Sequence, residues 1–297
     1  MRILVTGKNG QLGKSLHKLV SEKKYDNEFI FVGREEVDLS INNSIINYFD
    51  NHDNHDKFDI IINCAAYTAV NKAEEEQELA NQVNHLAVKQ LAGIAKEQKA
   101  RLIHISTDYV FDGTGNNPYK ETDKTNPINI YGETKLAGEK ALQVIMLTDA
   151  VIIRTSWVYS EYSNNFVSTM LRLGKERDEL NVVSDQIGSP TYATDLANAI
   201  LKIIENKNYR TKRPTTEIYH YSNKGKVSWY EFSKEIFELA DIHCAVKPIT
   251  TKQYPTPAQR PINTLMNKDK IAETFSVGIS DWKESLNTCI TILKEQR

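Results

Sequence analysis

Cysteine is scarce in this chain of 297 residues, and its cysteines form no recognisable pair or cluster. Cys64, Cys244 and Cys289 are odd in number, far apart and never spaced as CxxC. This usage argues against a disulfide framework or a zinc site and favours reduced thiols in a cytoplasmic protein.

Long apolar runs and a surplus of one charge are also missing. No stretch approaches the roughly 18 apolar residues of a membrane-spanning helix. The 37 basic and 39 acidic residues give a net charge of −2, which offers no basic surplus for nucleic acid. A strand-like pattern begins at Arg2, so we expect no signal peptide. The sequence predicts a soluble, cytoplasmic protein without nucleic-acid or membrane partners.

The polar segment NHDNHD, residues 51–56, concentrates side chains that could bind a metal. No further ligand pattern lies nearby, and the segment precedes a strand-like run. We interpret it as a solvated surface segment and predict no metal site.

The first residues have the pattern of a dinucleotide-binding unit. A β-rich run over residues 2–6 is followed by the turn GKNGQLG, residues 7–13, and then by helical spacing. Its glycines, spaced as GxxGxxG, allow a tight turn, close approach of the backbone to a pyrophosphate, and close helix–strand packing. A second strand, residues 28–32, leads into Arg34, which suits the 2′-phosphate of NADPH. Asp38 and Leu39 follow where an adenine could be held.

Three further strands are predicted, each with functional side chains at its end. The apolar run at residues 58–63 is followed by the small residues Cys64, Ala65 and Ala66, against which a ligand can lie. A long helix is predicted from the glutamates at 74–76 to residue 99. The next strand, 101–105, precedes Ser106 and Thr107, whose hydroxyls could polarise a substrate carbonyl. Residues 151–154 form another buried strand.

The helix predicted over residues 131–147 begins with Tyr131 and Lys135, four residues apart and therefore on one face. A nearby ammonium favours the phenolate, so Lys135 is expected to pull the Tyr131 pKa from about 10 toward neutrality. Tyr131 would then be a usable proton donor or acceptor.

Strand and helix alternate less regularly after about residue 155. The predicted fold class is α/β, a Rossmann-like doubly wound parallel sheet with a smaller mixed C-terminal substrate-binding region. The predicted division is 1–155 for the dinucleotide-binding core, with later segments returning to it, and 156–297 mainly for substrate binding.

The glycine turn, an upstream Ser/Thr and Tyr-x-x-x-Lys together resemble the extended short-chain dehydrogenase/reductase superfamily. Within it, the chain is most similar to the dTDP-4-dehydrorhamnose reductase family. That likeness rests on GKNGQLG at 7–13, NCAAYTAV at 63–70, STDYVF at 106–111, RTSWVY at 154–159, DQIGSPT at 185–191 and the Arg260-Pro261 pair. It spans nearly the whole chain.

The resemblance implies NADPH-dependent reduction of the 4-keto group of a dTDP-linked 4-keto-6-deoxyhexose, with NADH as an alternative cofactor. It implies a catalytic set of Thr107, Tyr131 and Lys135, and substrate contacts by Thr107, Asp108, Trp157 and Arg260. The expected cofactor-binding residues are Gly7, Asn9, Gly10, Gln11, Leu12, Gly13, Arg34, Asp38, Leu39, Cys64, Ala65, Ala66, Tyr131 and Lys135.

Alternatives remain within and beyond this chemistry. The same residues fit reductases of other 4-keto-6-deoxy nucleotide sugars. The resemblance also extends to regulatory subunits of methionine adenosyltransferase, which bind nucleotide without catalysis, but an intact acid argues against that function. Some family members are dimers linked by Mg²⁺ on glutamates, where this chain has Ser15 and Thr194. Those hydroxyls are poor Mg²⁺ ligands, so we expect a monomer or weak homodimer.

Overall fold

A parallel six-stranded sheet dominates the computed structural model, which describes residues 1–23, 25–50, 57–206, 209 and 215–296. The segment 51–56, predicted to be solvated surface, lies outside these residues. The strands are β1 (Arg2–Thr6), β2 (Glu28–Val32), β3 (Ile60–Asn63), β4 (Arg101–Thr107), β5 (Ala150–Thr155), β6 (Val158–Tyr159), β7 (Glu179–Val183), β8 (Ile187–Gly188), β9 (Thr191–Tyr192), β10 (Glu217–His220), β11 (Val227–Ser228) and β12 (Ala245–Ile249).

The main sheet has the order β2-β1-β3-β4-β5-β10, with all neighbours parallel. The helices are α1 (Gln11–Glu22), α2 (Ser44–Asp50), α3 (Val70–Ala73), α4 (Gln77–Asn81), α5 (Ala87–Gln98), α6 (Ile130–Ile145), α7 (Phe166–Glu176), α8 (Ala193–Glu205), α9 (Trp229–Ala240), α10 (Asp269–Phe275) and α11 (Trp282–Glu295). Within the described residues, no helix is long and apolar enough to cross a membrane.

Both faces of the main sheet are buried, which explains why its strands are apolar almost throughout. Ile3 and Ile103 point to one face, where α1, α8 and α10 cover them. Leu4 and Leu102 point to the other, where α2, α5 and α6 pack. The chain crosses from one side of β1 to the other between β2 and β3, and such a switch point is where open α/β sheets bind ligands.

A second apolar core lies among α7, α9, α11 and the short strand pairs β7–β12, β6–β9 and β8–β11. The predicted fold class, a doubly wound parallel sheet with a smaller mixed C-terminal region, is confirmed. Three segments from the C-terminal half belong to the main sheet layer: α8 packs on α1, α10 covers the same face, and β10 extends the sheet beside β5.

The helix predicted over residues 74–99 is present from Gln77 to Gln98, but it starts later than predicted and contains a π-helical turn. Helix α3 ends at Ala73, α4 begins at Gln77, and a π-helical turn, Gln82–Leu86, joins α4 to α5. The wider turn carries Asn84, whose side chain accepts from the Tyr67 backbone N–H over 2.9 Å and donates to the Tyr67 carbonyl over 3.1 Å. Such a bulge re-aims one side chain without ending the helix.

Candidate active site

A cleft of about 870 Å³ opens at the carboxyl ends of the main-sheet strands. The predicted site residues that line it are Gly7, Asn9, Gly10, Gln11, Leu12, Arg34, Asp38, Leu39, Cys64, Ala65, Ala66, Thr107, Asp108, Tyr131, Lys135 and Trp157. Gly13 and Arg260 were also predicted but do not line it. The fold therefore brings the glycine turn and the Tyr-Lys helix to one cavity.

The glycine turn is shaped for close packing and for an anion. Gly7 has φ +76°, and a Cβ there would lie 2.8 Å from the Ala65 backbone nitrogen. Gly13 packs against the Gly7 carbonyl below the cleft surface, where a Cβ would clash. Helix α1 starts directly after Gly10, which has no side chain to cap the first N–H groups of the helix. A helix start of this kind can receive a pyrophosphate.

The end of β2 carries acidic side chains that the sequence reading missed. Arg34 is 84% exposed, and its Nε lies 4.0 Å from Asp38 Oδ1. Next to it, Glu35 accepts from Asn9 Nδ2 over 3.0 Å, and Glu36 forms a 2.5 Å ion pair with Lys8. The cleft therefore presents Arg34 and Glu35 side by side where a nucleotide ribose is expected.

Thr107 and Tyr131 meet at the centre of the cleft. Thr107 ends β4 and is oriented by the Tyr109 backbone N–H, which donates to its hydroxyl over 3.2 Å. Burial raises the Tyr131 pKa to about 12, while a hydrogen bond with Thr107 lowers it and Asp108 raises it. The expectation that Lys135 moves this pKa toward neutrality is therefore wrong for the protein groups alone.

Lys135 is buried, with 1% of its surface exposed. Its Nζ donates to the Ile105 carbonyl over 2.6 Å, which directs the ammonium toward β4. Burial lowers the Lys135 pKa to about 8, and Glu139 opposes that change. The amine therefore titrates near neutral pH, which suits a group that exchanges protons.

A buried ion pair supports the catalytic helix one turn beyond Lys135. Glu139 accepts from Arg154 Nε over 2.9 Å and from Nη2 over 2.6 Å, and from the Ser106 hydroxyl over 2.5 Å. Both charged side chains are at most 2% exposed. Since Ser106 and Arg154 lie on β4 and β5, this pair fixes α6 to the sheet.

Asp108 is a buried carboxyl beside the predicted acid. Burial raises its pKa to about 7. Its Oδ1 accepts from the Thr107 hydroxyl over 3.1 Å. Its Oδ2 lies near Thr264 without a well-formed hydrogen bond to any described residue. The group can therefore accept a further donor, such as a sugar hydroxyl.

Trp157 and Trp229 form one wall of the cleft. Their rings stack with centroids 3.4 Å apart and planes within 10°. Trp157 has φ +48°, an uncommon conformation for a bulky residue and one often found at functional sites. The stack offers a flat apolar surface that suits a sugar ring.

Arg260 lies behind the cleft rather than in its wall. Its Nη1 donates to the Thr256 hydroxyl over 2.6 Å; burial raises the pKa of Tyr109, and the nearby Arg260 charge opposes that change. Tyr109 lines the cleft and packs edge-on against Tyr131, with ring centroids 5.6 Å apart. Arg260 thus reaches the site through Tyr109.

Ser15 and Thr194, the two hydroxyl residues that the sequence places where a metal-linked dimer contact was considered, face each other between α1 and α8. The Thr194 hydroxyl donates to Ser15 Oγ over 3.5 Å, and Ser15 is fully buried. Among the described residues, no group of three or more His, Cys, Asp or Glu side chains is arranged to hold a metal ion.

Comparison with known proteins agrees with this geometry. The family model described as the RmlD substrate binding domain matches residues 1–295. A dTDP-4-dehydrorhamnose reductase of Aggregatibacter actinomycetemcomitans is 41% identical over 292 residues, covering 96% of this chain and 97% of that protein.

Two solved structures are similar over almost the whole chain. A dTDP-4-dehydrorhamnose reductase of Clostridium acetobutylicum has a TM-score of 0.90 at 40% identity, covering 99% of this chain and 100% of that one. The enzyme of Bacillus anthracis, solved in complex with NADP, has a TM-score of 0.88 at 37% identity, covering 98% and 99%. The chain therefore belongs to the dTDP-4-dehydrorhamnose reductase family.

Proposed function

We propose that this protein reduces the 4-keto group of dTDP-4-dehydro-L-rhamnose to give dTDP-L-rhamnose. The observation that carries this proposal is the convergence of Thr107, Tyr131 and Lys135 on a cleft that also contains a dinucleotide-binding turn. NADPH is the preferred cofactor and NADH the alternative. The product is a precursor for cell-surface polysaccharide.

The residues at the glycine turn fit the cofactor. Gly7 and Gly10 leave room for a pyrophosphate at the uncapped start of α1. Arg34 is placed for the adenosine ribose, and Cys64, Ala65 and Ala66 present small side chains to the cleft. When bound, the cofactor supplies the hydride that reaches the 4-keto carbon.

Proton delivery falls to Tyr131. As hydride adds to the carbonyl carbon, the oxygen gains negative charge and takes the phenolic proton. The Thr107 hydroxyl, which donates to Asp108 in the structure, turns its one proton to the same oxygen and stabilises that charge. A phenol with a pKa of about 12 is protonated at neutral pH, so the acid is present before the reaction starts. Tyr131 is left as a phenolate, and Lys135, whose pKa of about 8 leaves it mainly as the ammonium at pH 7, can return a proton to it and become the neutral amine.

Substrate recognition comes mainly from residues 156–297 together with Asp108. The Trp157–Trp229 stack lies against the hexose, and Asp108 accepts from a sugar hydroxyl. Arg260 acts through Tyr109 or meets the diphosphate directly. The protein works in the cytoplasm as a monomer or weak homodimer, because Ser15 and Thr194 replace carboxylates at the family's metal-linked contact.

Two other functions have less support. A different dTDP-linked 4-keto-6-deoxyhexose would use the same catalytic set, and the cleft does not distinguish the product epimer. A non-catalytic regulatory subunit would need the nucleotide fold but no acid. The presence of Thr107, Tyr131 and Lys135 in one cleft has no use in such a protein.

The test follows NADPH absorbance with purified protein and enzymatically generated dTDP-4-dehydro-L-rhamnose. We expect oxidation that requires the sugar, and a fall of orders of magnitude in Tyr131→Phe while cofactor still binds. Near-wild-type turnover in that variant contradicts the acid role. No oxidation despite tight NADPH binding favours another keto sugar, and failure of a panel of such sugars favours the regulatory function.

A further inference from the structure

A buried row of polar side chains runs beneath the cleft toward Lys135. Thr6 Oγ1 donates to Asn63 Oδ1 over 2.7 Å, and the Ala65 N–H donates to the same oxygen over 3.2 Å. Because Oδ1 is thereby occupied as an acceptor, the amide nitrogen of Asn63 is the atom that faces His104. Its Nδ2 lies 3.1 Å from His104 Nδ1.

This contact fixes which nitrogen of His104 carries the proton. Asn63 Nδ2 is a donor, so His104 Nδ1 must accept, and the neutral imidazole then carries its proton on Nε2. The ring is neutral, since burial and then the Lys135 charge hold the His104 pKa well below its usual value. His104 is fully buried, and its Nε2 lies 3.5 Å from Lys135 Nζ.

An N–H aimed at Nζ distinguishes the two forms of the lysine. A neutral amine can accept from the imidazole N–H, whereas an ammonium cannot and instead faces another donor. Glu139 on α6 and His104 on β4 face Lys135, Tyr131 lies one turn before it on α6, and Arg154 on β5 acts through Glu139. Among these, the Glu139 carboxylate favours the ammonium.

We propose that His104 is a positioning residue for Lys135, with Asn63 orienting the imidazole so that its Nε2–H locates Nζ and favours the neutral amine. Its value to catalysis rests on the proposed reductase function, because a lysine poised between two forms can exchange protons near Tyr131. The effect on the lysine itself is a property of the protein without cofactor or substrate.

The test measures the titration of Lys135 in cofactor-free protein by NMR of ¹³Cε-labelled lysine, with the signal assigned by its loss in Lys135→Met. In Asn63→Asp, a carboxylate replaces the amide donor while an oxygen remains for Thr6 and Ala65. His104 Nδ1 then takes the proton and Nε2 becomes an acceptor. We expect the Lys135 midpoint to rise by about one pH unit or more.

His104→Gln is the conservative control, since a glutamine can accept from Asn63 and donate to Lys135. We expect its midpoint to stay within about half a unit of wild type, and His104→Leu, which has no donor, to have a higher midpoint than His104→Gln. If Asn63→Asp does not give a folded amide spectrum, the difference in Lys135 midpoint between His104→Gln and His104→Leu tests the proposal by itself.

Asn63→Asp also adds a charge, so it is repeated in the His104→Leu background. An equal shift in both backgrounds, an unchanged or lower midpoint in Asn63→Asp, or identical midpoints for Gln and Leu each overturns the proposal. A shift that depends on His104 supports it. Because no substrate is used, the outcome is independent of which sugar, if any, the protein reduces.

Discussion

Gly188 lies directly against the indole of Trp157. A Cβ built on Gly188 would come within 2.9 Å of Trp157 Cε2 and 3.0 Å of Cζ2. The missing side chain therefore leaves room for the Trp157 indole, which also stacks on the Trp229 ring with centroids 3.4 Å apart. The position of the Trp157 ring in the cleft wall therefore depends on Gly188 having no side chain.

Gly188→Ala should displace the indole and weaken sugar binding without touching the acid. We expect KM for the sugar nucleotide to rise by roughly tenfold, equivalent to about 1.4 kcal/mol, with kcat changed less. Steady-state kinetics at saturating cofactor measures this. Gly93→Ala is the matched control, because a Cβ at Gly93 meets nothing within 4 Å. An unchanged KM in Gly188→Ala contradicts the role of Trp157.

Arg34 and Glu35 should affect the KM for NADPH in opposite directions. Removing the guanidinium in Arg34→Ala should raise KM for NADPH by about tenfold and leave KM for NADH nearly unchanged, because only NADPH carries the 2′-phosphate that the guanidinium would bind. In Glu35→Gln, loss of a like charge should lower KM for NADPH. Paired measurements with both cofactors test this, and equal effects on NADH and NADPH would place the ribose elsewhere.

The Glu139–Arg154 pair should matter for stability far more than surface pairs do. Glu139→Gln leaves the buried Arg154 charge without its counterion, which should cost about 3–5 kcal/mol in the free energy of unfolding. Glu176→Gln breaks the exposed pair with Arg172 and should cost less than about 1 kcal/mol. Chemical denaturation of both variants checks the difference, and similar losses would contradict it.

Asp108 should make the protein less stable as the pH rises. Its pKa is raised in the folded state to about 7, so the folded protein holds a proton that the unfolded chain releases near pH 4. The contribution of Asp108 to the free energy of unfolding is present below pH 4 and is lost as the pH rises through 7. Asp108→Asn, always neutral, should therefore unfold at a higher temperature than wild type at pH 8, on the order of 5 °C.

The comparison must be made as a difference between the two proteins. Buried His104 and His220, whose pKa values are lowered by burial, make the folded state less stable as the pH falls. Subtracting the variant from wild type removes that shared effect. A difference in melting temperature that stays constant from pH 5 to pH 8 would contradict a raised Asp108 pKa.

Local patterns in the sequence were enough to predict most of the sheet and the cleft. Strand bounds 2–6 and 28–32 match the structure, since apolar runs there end at glycines. Strand 101–105 extends to Thr107, because Ser106 and Thr107 still pair with β5. The Tyr131–Lys135 spacing located the catalytic helix, which begins at Ile130 rather than 131.

Features that depend on residues far apart in the chain were not predictable from local pattern. In the sequence, Glu139 is simply a charged residue in a helix and Arg154 a charged residue in a strand. Only the fold brings the two side chains together. The row from Asn63 through His104 to Lys135 likewise requires the register that sets Asn63 beside His104. The Tyr131 pKa is raised rather than lowered because burial, which spacing does not show, has the largest effect on it, and the nearby Asp108 raises it further.

Strand β10 has a consequence for how the chain is made. It pairs with β5 in register, with Tyr219 beside Ile153, although more than sixty residues of sequence separate the two strands. Until residue 220 has left the ribosome, β5 presents an open row of backbone N–H and C=O groups next to a nearly complete apolar sheet. A nascent chain in that state can pair with a neighbouring copy. Expression of the first 155 residues alone would leave this edge open permanently, so we expect that fragment to aggregate more readily than the full chain.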